Sequence, residues 1–161
     1  MNKKILISLL YLLILAGTAH AALRVTDLRT EQLKNPLGID IRHPRLGWRI
    51  ESDEQNVMQT AYHILVASSP ELLAQGKGDC WDSGKVKTDA SQWITYQGKT
   101  LKCNASYYWK VKIDTNKGAT NWSAPAFWTT GLFNEADWQG QWIGLDRAAP
   151  GDSETQWSRL A

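Results

Sequence analysis

The chain has 161 residues, 43% of them hydrophobic and 21% charged, with a formal charge of +2. That is one domain of ordinary size plus a tail, with enough apolar material to bury a core without disulfide staples. The balanced charge gives no support to a nucleic-acid partner, which would need a basic face. It falls from +2 to zero once Lys3 and Lys4 leave with an amino-terminal leader.

Residues 1–21 have the form of a secretory signal peptide. Lys3-Lys4 supply the positive start, Ile5 to Ala16 an apolar core, and Ala19-His20-Ala21 a small-x-small cleavage site. A membrane anchor needs about 20 apolar residues, and this core is shorter. No Cys follows the site to accept a lipid. The mature chain from Ala22 is expected to be exported, to the periplasm or the outside, with no membrane attachment after cleavage.

Leu23 to Glu31 alternates apolar and polar and predicts a first strand with Val25 and Leu28 inward. Lys34-Asn35-Pro36-Leu37-Gly38 predicts a turn, because Pro36 fixes φ and Gly38 frees it. Pro44 opens a second strand with Leu46, Trp48 and Ile50 on one face, and Ser52 to Asn56 turns the chain again. Thr60 to Ser69 is a third strand with Tyr62, Ile64 and Val66 inward. Its other face (Ala61, His63, Leu65, Ala67) is only half polar, so a second cover is expected there.

Ser69-Pro70 and Gly76 bracket one or two helical turns, Ser69 as cap, Pro70 at the first position and Gly76 at the stop. Trp81 to Val86 is a short strand with a turn inside it. Ser91 to Gly98 is another, with Ile94 and Tyr96 opposing Trp93 and Thr95. The densest aromatic stretch, Leu101 to Gly131, predicts a hairpin. Tyr107, Trp109, Val111 and Ile113 alternate inward, Asn116-Lys117-Gly118 turns, and Phe127-Trp128-Thr129-Thr130 returns. About seven strands without a long amphipathic helix predict an all-β, immunoglobulin-like or fibronectin type III-like β-sandwich over residues 22–132. Residues 133–161 predict a linker and the start of a following β domain.

Chemistry is sparse. His43 and His63 are the only histidines after the leader, and no HxH, HExxH or CxxC marks a metal. No GxSxG elbow and no phosphate loop occur, so neither metal nor cofactor is implied. Asp53, Glu54, Asp79, Asp82, Asp89 and Glu135 fall in loops, and Asp82 suits a turn in which it bonds its own backbone. Cys80 and Cys103 are either one disulfide or two free thiols, since spacing does not supply the separation that decides. Asn104-Ala105-Ser106 and Asn121-Trp122-Ser123 match the glycosylation sequon and imply surface loops.

Nine tryptophans raise the question of a sugar platform, since sugar rings stack on exposed aromatic faces. Trp48 and Trp109 alternate inward as core. Trp81, Trp93 and Trp122 fall at strand edges or on the outer face. Trp128, Trp138 and Trp142 suit burial against a neighbouring domain. The candidate carbohydrate or interdomain contacts are therefore Trp81, Trp93, Trp122, Trp138 and Trp142.

The spacing Leu101-x5-Tyr107-x-Trp109-x-Val111 resembles strand F of a fibronectin type III domain, with Tyr107 as its corner tyrosine. Leu46-x-Trp48 resembles strand B, and Tyr62-x-Ile64-x-Val66 strand C. A longer series runs from Trp81-Asp82-Ser83-Gly84-Lys85-Val86 through Tyr96-x-Gly98-x-x-Leu101, Tyr108-Trp109-Lys110-Val111 and Trp122-Ser123. It continues to Phe127-x-Thr129-Thr130-Gly131-Leu132 and Trp138-x-Gly140-x-Trp142-Ile143. In that order it is similar to the amino-terminal region of bacterial α-L-rhamnosidases of glycoside hydrolase family 78.

The resemblance implies a module that precedes further β-sandwich domains and an (α/α)6 barrel holding the catalytic carboxylates. No catalytic residue carries over to this chain, which is expected to stop short of that barrel and to be inactive alone. The implied role is a non-catalytic scaffold of an exported enzyme that removes terminal α-L-rhamnose from glycosides with inversion. Its partners would be the remaining domains of that enzyme and, through them, rhamnose-containing glycans. The alternative is an autonomous carbohydrate-binding module.

Overall fold

The computed structural model describes residues 23–140. The expected leader, Trp142 and residues 141–161 of the expected linker and following domain lie outside the described residues. Two antiparallel sheets face one another as an immunoglobulin-like sandwich. The smaller contains β1 (Arg24–Thr30), β2 (Arg45–Glu51) and β6 (Ile94–Thr95), with β2 in the middle. The larger is built on β3 (Gln59–Ala67) and β7 (Ser106–Thr115). β4 (Trp81–Asp82) and β5 (Val86–Lys87) lie along the free side of β3, and β8 (Gly118–Ala119) and β9 (Ala126–Thr129) along that of β7. The nine segments thus fill seven strand positions.

Both outer strands of the larger sheet are interrupted, and hydroxyls bridge the gaps. Between β4 and β5, where Gly84 adopts φ +58°, Ile64 N donates to Ser83 Oγ at 2.8 Å. Between β8 and β9, Ile113 N donates to Thr120 Oγ1 at 3.0 Å and Val111 N to Ser123 Oγ at 3.1 Å. A buried amide must find an acceptor, and a side-chain oxygen serves where the neighbouring backbone turns aside.

The core is aromatic. Trp48, Trp109, Trp128 and Tyr96 are fully buried among Leu46, Ile64, Val66, Val111 and Ile113. Tyr107 stacks on Trp128 with centroids 5.5 Å apart, and Tyr96 meets both Trp81 and Trp128 edge-on. The Tyr107 hydroxyl accepts from Lys102 N at 2.7 Å, which is the corner expected from strand F. Trp128 is placed inside this chain's own core rather than against a neighbour, because its alternation partner across the ladder is the inward Tyr107.

A second apolar cluster of Leu65, Ala67 and Leu73 covers the outer side of β3, as its half-polar face required. Leu73 belongs to helix α1 (Pro70–Ala74), which is capped by Ser69 Oγ accepting from Leu72 N, with Gly76 at φ +74° beyond it.

The strand expected over Ser91–Gly98 is cut down to β6. Trp93 adopts φ +61°, and the Gln92 side chain occupies the ladder by donating to Trp48 O at 2.8 Å. Gly47 makes this possible, since a Cβ there would meet Gln92 Oε1 at 2.7 Å.

The chain enters and leaves at opposite ends. β1 starts at Arg24 opposite Glu51, whereas β9 finishes at Thr129 opposite Ser106, beside the loop that joins β1 to β2.

Candidate functional site

The sandwich separates the candidate aromatics instead of lining them up. Trp81 is half-buried, edge-on to Tyr96 with centroids 5.4 Å apart, and packs against the main core. Trp122 lies on the outer face of the larger sheet, packed against the Leu65 and Leu73 cluster. Lys110 Nζ stands 5.1 Å and Lys112 Nζ 4.9 Å from its ring centroid, and the His63 ring meets it edge-on at 5.1 Å. Lys110 also donates to Leu73 O at 2.6 Å, and its burial there pulls its ammonium pKa down. Side chains of the protein therefore already occupy the Trp122 ring.

Trp93 projects from the opposite outer face and is 55% exposed. The Arg45 guanidinium sits 4.6 Å over its ring, within cation–π range. Glu31 accepts from Arg45 with both carboxylate oxygens, Oε2 from Nη2 at 2.5 Å and Oε1 from Nε at 3.1 Å. This hydrogen-bonded pair holds the Glu31 carboxyl below its ordinary pKa. Trp138, 59% exposed, follows the short 3₁₀ turn Glu135–Asp137 at the exit end.

The exit end contains more than Trp138. The β1–β2 loop runs beside the departing chain and is bonded to it repeatedly. Phe127 N donates to Asn35 Oδ1, Thr129 N to Pro36 O, Ile39 N to Thr129 O and Gly131 N to Ile39 O, all within 2.8–3.0 Å. Ile39 and Thr130 form a parallel bridge. Further along, the Arg42 guanidinium lies 4.6 Å over the Phe133 ring and donates to Asn134 Oδ1 at 3.1 Å. Leu33, Leu37 and Ile41 of this loop and Leu132 beside it are exposed. The turn expected over Lys34 to Gly38 does not account for these positions. A turn has no use for Leu37, Ile39 and Ile41, and that surplus was the available signal.

A recess of about 510 Å³ opens at the same end between the end of β3 and the start of β7. Ser68, Asp79, Cys80, Lys99 and Lys102 are among its lining residues. Asp79 is the carboxylate among them, where hydrolysis of a glycoside needs two. Burial raises its pKa, but hydrogen bonds from Ser68 N and Oγ outweigh that and hold it low. Cys80 and Cys103 are both free. Burial pushes the Cys80 thiol up, away from the thiolate a nucleophile needs.

Asp82 accepts from Gly84 N at 2.9 Å, as its turn position implied, and also meets His63 Nε2 at 2.6 Å. Among the described residues no group of three or more His, Cys, Asp or Glu is placed to hold a metal ion. No described helix is long and apolar enough to cross a membrane.

Residues 25–134 match the family model of the Rha78A-like, N-terminal immunoglobulin domain. An α-L-rhamnosidase of Streptomyces avermitilis is 44% identical over 124 residues, covering 76% of this chain and 12% of the relative. The crystal structure of the S. avermitilis α-L-rhamnosidase complexed with L-rhamnose superposes with a TM-score of 0.71 at 43% identity, over 76% of this chain and 12% of that one. The structure of the α-L-rhamnosidase from Dictyoglumus thermophilum gives 0.71 at 38% identity, over 75% of this chain and 14% of that one. The chain thus spans about 12% of the length of the curated relatives it matches.

Proposed function

Since this chain belongs to the family of Rha78A-like, N-terminal immunoglobulin domains, we propose that it is the non-catalytic amino-terminal scaffold of an exported α-L-rhamnosidase. The enzyme it serves would hydrolyse terminal α-L-rhamnose from glycosides by inversion, using carboxylates in domains beyond the described residues. The observation that carries this reading is the lopsided match, three quarters of this chain against about one eighth of each relative.

Two measurements test it. The purified chain, incubated with a chromogenic α-L-rhamnoside, is expected to release no product above blank. Residues 23–140, grafted in place of the amino-terminal domain of the S. avermitilis enzyme, are expected to restore the thermal stability that deleting that domain removes. Product from the chain alone, or a graft no more stable than the deletion, overturns the proposal.

A second reading, an autonomous carbohydrate-binding module, rests on Trp93, whose exposed ring is backed by Arg45. Titration with rhamnose-bearing glycans tests it. Unchanged Trp fluorescence and flat heats end it.

A further inference from the structure

We propose that the exit end of the sandwich is a preformed seat for the β domain that follows in the same polypeptide. The departing chain is accordingly a splint and not a tether. This deepens the scaffold reading and depends on it.

The first observation is where the apolar surface lies. Among the described residues, the large exposed hydrophobics are Leu33, Leu37, Ile41, Met58, Trp93, Leu132 and Trp138. All except Met58 and Trp93 belong to the β1–β2 loop or to the departing chain. The parallel bridge between Ile39 and Thr130 puts the two segments side by side, so two residues further along Ile41 comes alongside Leu132. Leu37, 74% exposed, precedes Gly38, whose N donates to Thr129 Oγ1 at 2.7 Å. Single exposed hydrophobics are ordinary, whereas a group of them on two stitched segments marks a contact surface.

The second observation is that the departure is fixed in direction. A free linker would leave its backbone to solvent. Here the Asp137 carboxylate accepts from the amides of Phe133 and Asn134, and Arg42 clamps the Phe133 ring and the Asn134 side chain. Gly131 passes so close to the loop that a Cβ would meet Gly38 O at 2.8 Å. Such bonding fixes the course of residues 133–137 against the sandwich, as a seated neighbour requires.

The third observation is the polar rim. The recess at this end carries Lys99, Lys102, Ser68 and Asp79 beside the turn that bonds Thr130 through Lys102 O and Ala105. An apolar centre with a charged margin is the anatomy of an interdomain contact. The relatives continue for most of their length outside the matched region, so a neighbour from the same chain is the occupant at hand.

The S. avermitilis graft described above is the test, compared with the same graft carrying Leu37→Asp, Ile41→Asp and Leu132→Asp. Met58→Asp, at the opposite end beside Asn116, is the control. Limited proteolysis at the junction is expected to be about tenfold faster in the triple variant and unchanged in the control. The isolated chain should keep its melting temperature with all three substitutions, because the positions are exposed.

If the triple variant is as resistant as the unsubstituted graft, the seat is elsewhere while the scaffold reading stands. If the unsubstituted graft is as labile as the domain deletion, the scaffold reading fails and the seat with it. If the isolated chain sediments as a dimer that the substitutions dissociate, the surface seats a second copy and the inference falls.

Discussion

Single side chains decide how firmly the sandwich is closed. The Tyr107 hydroxyl ties strand β7 to the turn before it through Lys102 N, and its ring stacks on Trp128. Tyr107→Phe keeps the ring and removes the bond, so a loss of about 1–2 kcal/mol is expected from urea denaturation. On the smaller sheet, three carboxylates are held below their ordinary values by arginines, Asp27 by Arg29, Glu31 by Arg45 and Glu51 by Arg24. A depressed carboxyl binds protons more weakly folded than unfolded. The stability it adds is present above its ordinary value, 4.5 for Glu31, and is lost as pH falls through the folded value. Thermal melts between pH 6 and pH 3 should therefore fall with pH, and Glu31→Gln should flatten the fall. An identical slope in that variant would remove Glu31 from the account. Solvent reaches the arginine side of each pair, with the Arg45 side chain 47% exposed, and this screening keeps the effect on stability at neutral pH modest.

Elements were legible where one rule governed them. The alternation along Tyr107 to Asp114 fixed which faces of β7 are buried, and the Ser69-Pro70 and Gly76 signals placed helix α1. Reading failed where a side chain replaced backbone. Gln92 fills the ladder beside Trp48, and no propensity scale shows that Trp93 will take a left-handed φ. The hydroxyl rungs of the outer strands were equally hidden, since Ser83, Thr120 and Ser123 look like ordinary turn residues until their partners are known. Ser123→Ala leaves the buried Val111 amide without that acceptor. It is expected to cost about 1–3 kcal/mol, read by denaturant titration. A cost near zero would mean that Ser123 is not a rung of the ladder.

For the whole molecule, the fold and family were readable because core aromatics at fixed spacing leave few alternatives. The candidate contacts were not, because exposure depends on distant segments. Trp81 and Trp122 could be located on strands and edges, but only the assembled sheets show that Tyr96 and the two lysines already engage them. The exit-end surface comes from two segments about 90 residues apart, joined by bonds such as that from Phe127 N to Asn35 Oδ1. No local pattern announces such a pairing. The stability of the S. avermitilis graft is the measurement at this scale.

The opposed ends of the chain have a practical consequence. β1 runs the length of the smaller sheet, from Arg24 at one pole to Thr30 near the other. Even with the bulge at Asp27, its seven residues span roughly 20 Å. An affinity tag or fluorophore joined at Arg24 is therefore attached at the pole away from the exit. Cargo can be attached there without being trapped between this module and whatever rests on Leu37, Ile41 and Leu132.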